Sequence, residues 1–174
     1  MSRTQWPVLV DSDIATTRDA VHAYSQVVGA WLESCRPRRK HWWHISLRPT
    51  VRGLTTGPVH AEIDFELELD LQASRLLGRV ADSDDLQVQL DGQAPAKLAV
   101  AIEKYLGDAG LPPARAPAGD SHEHPPTGGY TPAAAQQIAL TWASVSGALA
   151  TLRAGIPEET SPIQLWPHHF DLSM

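Results

Sequence analysis

The sequence predicts an α+β fold: an antiparallel sheet of about four to five strands, with two long helices and one short helix packed on one face. Three observations carry this. Residues 59–71 alternate without a break, with Val59, Ala61, Ile63, Phe65, Leu67, Leu69 and Leu71 on one side. His60, Glu62, Asp64, Glu66, Glu68 and Asp70 fall on the other. Period-two alternation marks a half-buried strand, and its acidic side forbids helices on both faces of the sheet. Two further stretches, near residues 17–35 and 132–154, carry apolar residues at helical spacing. Near-continuous apolar strands, which a doubly wound parallel sheet needs, are absent.

The first helix is expected from about Thr17 to Cys35. Thr16 would cap it with Asp19 as the reciprocal partner, and Pro37 would stop it. Val21, Tyr24, Val28 and Trp31 form its inner stripe, with Val27 and Leu32 beside them. His22, Gln26, Gly29 and Glu33 lie on its far side, which reads as a solvated face or as a site covered by another part of the chain. The basic run from Arg36 to His41 reads as a solvated loop, because no glycine-rich cradle or helix N-terminus adjoins it.

His41 to Arg52 reads as a strand. Trp43, Ile45, Leu47 and Val51 would face inward, and Trp42, His44, Ser46, Arg48, Thr50 and Arg52 outward. Pro49 marks an edge or bulge there. Residues 53–58 have turn chemistry, so 41–52 and 59–71 are expected to pair as a hairpin. Matching their apolar faces sets Arg48 opposite Glu62 or Asp64, and His44 opposite Glu66 or Glu68. A facing carboxylate would raise the pKa of His44.

Two shorter strands follow at 76–80 and 86–90, with a turn at Asp82-Ser83-Asp84-Asp85 between them. A short helix spans 95–106. Residues 107–132 hold six of the 14 prolines and five of the 12 glycines and form an irregular connection containing His122, Glu123 and His124. Thr131-Pro132 starts the last helix, whose stripe is Ile138, Trp142, Val145, Leu149 and Leu152. Residues 161–173 read as strand interrupted at Pro167, and 163–172 should pair with another strand, in this sheet or in a partner chain. Trp43, Ile45, Ile63, Phe65, Val28, Trp31, Trp142 and Leu149 are expected to share one core.

At 174 residues the chain fits a single domain, 1–174, large enough to fold without metal or disulfide. Its formal net charge of −6 argues against a nucleic-acid partner. No apolar run approaches the length of a membrane span, and the N-terminus lacks a signal-peptide pattern. The one cysteine, Cys35, gives no internal disulfide, so the expected location is the cytoplasm. Cys35 follows a helix, whose C-terminal dipole opposes thiolate formation, so a catalytic thiol is not expected.

Several stretches occur together: Trp6-Pro7; His22 with Gln26-Val27-Val28-Gly29; His41-Trp42-Trp43-His44; Arg52-Gly53-Leu54-Thr55-Thr56; and Ser161-Pro162 running into Trp166-Pro167-His168-His169-Phe170-Asp171-Leu172. In this order they resemble a bacterial family catalogued as domain of unknown function 5996. The resemblance spans about Trp6 to Leu172 and is vague between Gln72 and Tyr130. It carries no catalytic residues across. Longer members continue past the position of Leu172, so the resemblance implies a short member or an N-terminal portion.

No recognised catalytic motif, phosphate-binding loop or zinc-ligand spacing is present, so no reaction, substrate or cofactor follows. The chemistry that remains is a polar pocket for a small molecule, drawn from His22, Trp42, His44, Arg48, Arg52, Glu66, His168, His169 and Asp171. His41 and His44, three apart on a strand, would point to opposite faces and could not chelate one metal; no metal site is assigned. The alternatives are an interaction subunit or homo-oligomer pairing through 163–172, and a non-catalytic remnant of a longer protein.

Overall fold

The computed structural model describes residues 13–114 and 129–174. Trp6-Pro7 and the His122-Glu123-His124 stretch lie outside the described residues. The elements are α1 (Ile14–Cys35), a 3-10 turn (Lys40–Trp42), β1 (Arg48–Pro49), β2 (Gly53–Thr55), β3 (Val59–His60), β4 (Asp64–Asp70), β5 (Arg75–Val80), β6 (Leu86–Gln89), α2 (Pro95–Asp108), α3 (Pro132–Ala154), β7 (Gln164–Trp166) and β8 (Asp171–Ser173). The class is α+β as expected. The strands exceed the expected number: β1 to β6 form one antiparallel sheet, and β7 and β8 form a separate hairpin.

Phe65, Leu67 and Leu69 of β4 enter one core with Val21, Tyr24, Val28 and Trp31 of α1, Leu98 and Ile102 of α2, and Ile138 of α3. The alternating register of β4 therefore sets which face the helices cover, and its polar face keeps Glu66 and Glu68 outside that core. The α1 start differs from expectation. Asp13 precedes the helix without a side-chain cap bond. Thr16 and Thr17 instead donate to the Gly129 carbonyl at 3.0 and 3.2 Å. The Thr17 hydroxyl also accepts from the Thr131 N–H. A long-range tie to the start of α3 thus outcompetes the local capping box.

The 41–52 strand does not form. His41 and Trp42 have φ of 56° and 58°, and two consecutive left-handed residues cannot continue a strand. Ile45 and Leu47 still reach the interior, but Trp43 is 41% exposed rather than core. The expected 59–71 strand is broken by bends at 61–63. The hairpin partner of β4 is consequently the segment 53–60, not 41–52, and the expected facing of Arg48 and His44 with carboxylates is overturned. Arg48 instead pairs with Thr55 across a tight reversal at 50–53.

Segment 53–60 runs along β4 with a change of register. Gly53 pairs with Asp70 and Thr55 with Glu68, yet Val59 pairs with Phe65. One residue more lies on the 55–59 side than on the 65–68 side, which is a β-bulge. Gly57 supplies a left-handed φ of 61° there. The bulge lets even-numbered Leu54 and odd-numbered Val59 both turn inward; each is at most 1% exposed.

The last helix is buried only over its first half, through Ala134, Ala135, Ile138 and Ala139. Trp142 is half-buried against Phe170, edge to face at 5.2 Å, and Leu149 is not part of the core. Residues 164–173 turn back at 167–170, so the expected interruption at Pro167 is the corner of the β7–β8 hairpin. That hairpin joins the rest of the molecule by reciprocal backbone bonds between Leu47 and Leu165, at 2.9 and 2.8 Å.

Candidate functional site

The two histidine-tryptophan motifs meet. The Trp166 indole N–H donates to the His41 carbonyl at 3.1 Å. Trp42 stacks on His44, ring centroids 5.6 Å apart, and lies 6.3 Å from His168, which in turn lies 4.3 Å from His169. The Arg38 guanidinium sits over the Trp42 ring at 4.9 Å, a cation–π arrangement. His22, from the far side of α1, bonds through Nε2 to the Pro167 carbonyl at 2.8 Å and stacks on Phe170 at 4.7 Å. Gly29 permits this docking: a Cβ there would stand 2.9 Å from Pro167 Cγ. The far side of α1 is thus covered by another part of the chain.

Beside this aromatic cluster lies a cleft of about 360 Å³. Arg36, Arg39, His44, Ser46, Arg48, His60 and Gln164 supply its polar wall, and Trp43 with Pro37, Pro58 and Pro162 its apolar wall. The β-bulge anchors it. Arg36 donates to the Thr56 carbonyl at 2.9 Å and reaches the Pro58 and His44 carbonyls at 3.5 Å, so its charge rests on neutral oxygens. The Arg48 side chain folds across Gly57, where an added Cβ would meet its guanidinium at 3.5 Å.

His44 is 2% exposed, and its Nδ1 accepts from the Arg39 N–H at 3.3 Å. Burial holds its pKa below the ordinary value; Glu33 opposes this, and Arg38 and Arg36 add to it. The expected rise is therefore corrected: no strand carboxylate faces the ring. A neutral imidazole that accepts at Nδ1 carries its proton on Nε2. That Nε2 is buried with no hydrogen-bond partner among the described residues. Gln164 is 4% exposed; its Oε1 accepts from the Ser46 hydroxyl, and its Nε2 is likewise buried without a partner among the described residues. Buried donors left unpaired are rare, because each carries an uncompensated desolvation cost.

Of the residues singled out from sequence, His44 and Arg48 line the cleft, while Trp42, His168 and His169 form the adjoining cluster with His22 behind it. Three stand elsewhere. Arg52 donates to Asp70 at 2.7 Å. Glu66 accepts from the Thr55 hydroxyl at 2.6 Å on the open face of the sheet. Asp171 is exposed at the start of β8, opposite Trp166. Arg36, Arg39 and Gln164 were not legible as site residues, although three arginines in four positions just ahead of a Trp-rich motif were the available signal. Burial pushes the Cys35 thiol up, so it is not a poised nucleophile. Among the described residues no cluster of three or more His, Cys, Asp or Glu could hold a metal ion. No described helix is long and apolar enough to cross a membrane.

Residues 6–174 match the family of unknown function DUF5996, essentially the whole chain. The chain belongs to this family. No curated protein and no solved structure matches it. Within this DUF5996 chain, the motifs that carried the resemblance now have physical roles. His22 and Gly29 receive the 167–170 corner, His41 to His44 build the cluster, and Gly53 to Thr56 form the strand leading into the bulge.

Proposed function

We propose that the protein binds a small molecule in the cleft between the Arg36–Arg48 segment and the β7–β8 hairpin. The observation that carries this reading is that two residues lining one cleft, His44 and Gln164, each hold a buried nitrogen with no partner among the described residues. A cleft of about 360 Å³ lies within the usual range for small ligands. The reading takes the chain as one domain, since a single apolar cluster runs through all three helices and both sheets. A lone cysteine suits a reducing compartment, and on that ground the protein is assigned to the cytoplasm.

The test is a fragment screen by NMR on the intact chain. Binding fragments are expected to shift the His44 ring and Gln164 side-chain amide signals. Fragments that collect elsewhere and leave both signals unmoved would refute the reading. A second reading, pairing with a partner chain, rests on β8, which among the described residues pairs only with β7. A concentration-dependent mass in light scattering, abolished by a proline at Leu172, supports it.

A further inference from the structure

The hydrogen-bonding groups around the cleft are one-sided. Arg36, Arg39 and Arg48 line it with His60, whose ring bonds to the Asp64 carboxylate at 3.0 Å outside the lining; among the described residues no Asp or Glu lines the cleft itself. Among the described residues none of these three arginines forms a salt bridge. The chain carries 20 acidic residues against 14 lysines and arginines, so three guanidiniums gathered without a carboxylate run against its own charge balance. Two lining residues carry further donors just beneath the surface: the His44 ring holds its N–H at Nε2 by its tautomer, and Gln164 keeps its amide N–H while its oxygen is held by Ser46. Burial, reinforced by the positive charges of Arg48 and Arg39, pulls the Arg36 pKa down. A site of donors and fixed positive charge is complementary to an acceptor with negative charge.

The apolar wall constrains the remainder of the ligand. Trp43 is 41% exposed, and three prolines stand with it along the cleft. A large ring so exposed beside guanidiniums suits a flat organic group whose charged end lies toward the arginines.

Resting on the small-molecule reading above, we propose that the ligand is an organic oxyanion, a phosphoryl or carboxylate group on a flat body. Arg39 and Arg48 clamp the anion, Trp43 packs on the body, and His44 and Gln164 stand in the wall beside it. Arg36 already holds the bulge carbonyls and acts chiefly through its charge.

The experiment titrates the intact chain at low ionic strength with four probes: phenyl phosphate, benzoate, inorganic phosphate and the neutral benzamide. Saturable shifts at His44 and Gln164 are expected with phenyl phosphate or benzoate. Benzamide should bind at least about tenfold more weakly, and Arg39→Gln and Arg48→Gln should each weaken the anion about tenfold. The order of phenyl phosphate and benzoate then tells phosphoryl from carboxylate. Inorganic phosphate binding more weakly than phenyl phosphate supports the role of Trp43. Arg52→Gln, whose side chain is engaged with Asp70, should leave binding unchanged. Circular dichroism checks that each variant folds. Benzamide binding as tightly as benzoate at His44 and Gln164 would overturn the oxyanion while leaving the small-molecule cleft standing. No shift with any probe overturns both. Anion binding undiminished in both cleft variants overturns the clamp.

Discussion

The His44 ring accepts a hydrogen bond from the Arg39 backbone N–H at its Nδ1, and this contact fixes which ring nitrogen keeps the proton. It also fixes the pH behaviour. Burial lowers the pKa of His44, and burial with the neighbouring His169 lowers that of His168. Below the ordinary histidine value of 6.5 the unfolded chain therefore takes up protons that the folded chain resists. Stability from these two rings is present in full above that value. It declines as pH falls through it toward the lower folded values. An NMR titration should place both rings below 6.5. A midpoint above that value for His44 would contradict the buried neutral ring.

Two glycines should respond in opposite senses to alanine. At Gly53, φ is 152° and a Cβ would lie 2.1 Å from the Leu69 carbonyl, on the neighbouring strand. Gly53→Ala should cost about 3 kcal/mol or more, the upper end of a strained residue with a backbone clash added. At Gly147, within α3, a Cβ meets nothing within 4 Å. Gly147→Ala should stabilise by about 0.5–1 kcal/mol, because glycine is costly inside a helix. Thermal unfolding of both variants checks the pair.

Asp70 is fully buried between Arg52 at 2.7 Å and Arg75 at 3.5 Å, and it accepts from the Ala73 N–H. Asp70→Ala should lose about 1.5–3 kcal/mol, the range for hydrogen bonds to a charged group. Arg52→Ala should lose less, because Arg75 and the backbone still hold the carboxylate. Urea denaturation of the two variants gives the order, and equal losses would mean that Arg52 alone supports Asp70.

Leu67 and Trp142 test the two halves of the packing. Leu67 is completely buried at the centre of β4, and its truncation to Ala should cost about 2–5 kcal/mol. Trp142 is half-buried and rests on one edge-to-face contact with Phe170. Trp142→Ala should cost less than about 3 kcal/mol, below the range for a fully packed aromatic. It should also perturb the His22 ring, which stacks on the other partner of that contact. A larger loss at Trp142 than at Leu67 would show that α3 is packed more deeply than described.

The sequence was a sufficient guide to α1 and to the start of α3. The α1 stripe of Val21, Tyr24, Val28 and Trp31 is buried, and the Thr131 cap of α3 forms, its hydroxyl accepting from Ala134. Alternation failed where backbone geometry overrode it. Nothing in the residue types at His41 and Trp42 announces two left-handed conformations, and these turned a strand pattern into a 3-10 turn. The cleft was half legible. His44 and Arg48 stood out as polar residues in a tryptophan-rich setting. Arg36 and Arg39 did not, because Arg36 bonds to a bulge carbonyl and Arg39 engages the His44 ring through its own backbone N–H, neither of which side-chain chemistry encodes locally.

The extra residue between Thr55 and Val59 also makes chain length itself a functional quantity. Deleting one residue there would restore an unbroken ladder with Leu54 and Val59 both still inward, but it would straighten the bulge whose Thr56 and Pro58 carbonyls hold Arg36. The stretch 56–58 should therefore resist both insertion and deletion, while the exposed reversal at 61–62, a few residues further on, can vary in size at little consequence. A library of single-residue deletions across 53–64 would map that boundary directly, as a sharp gap in surviving folded proteins.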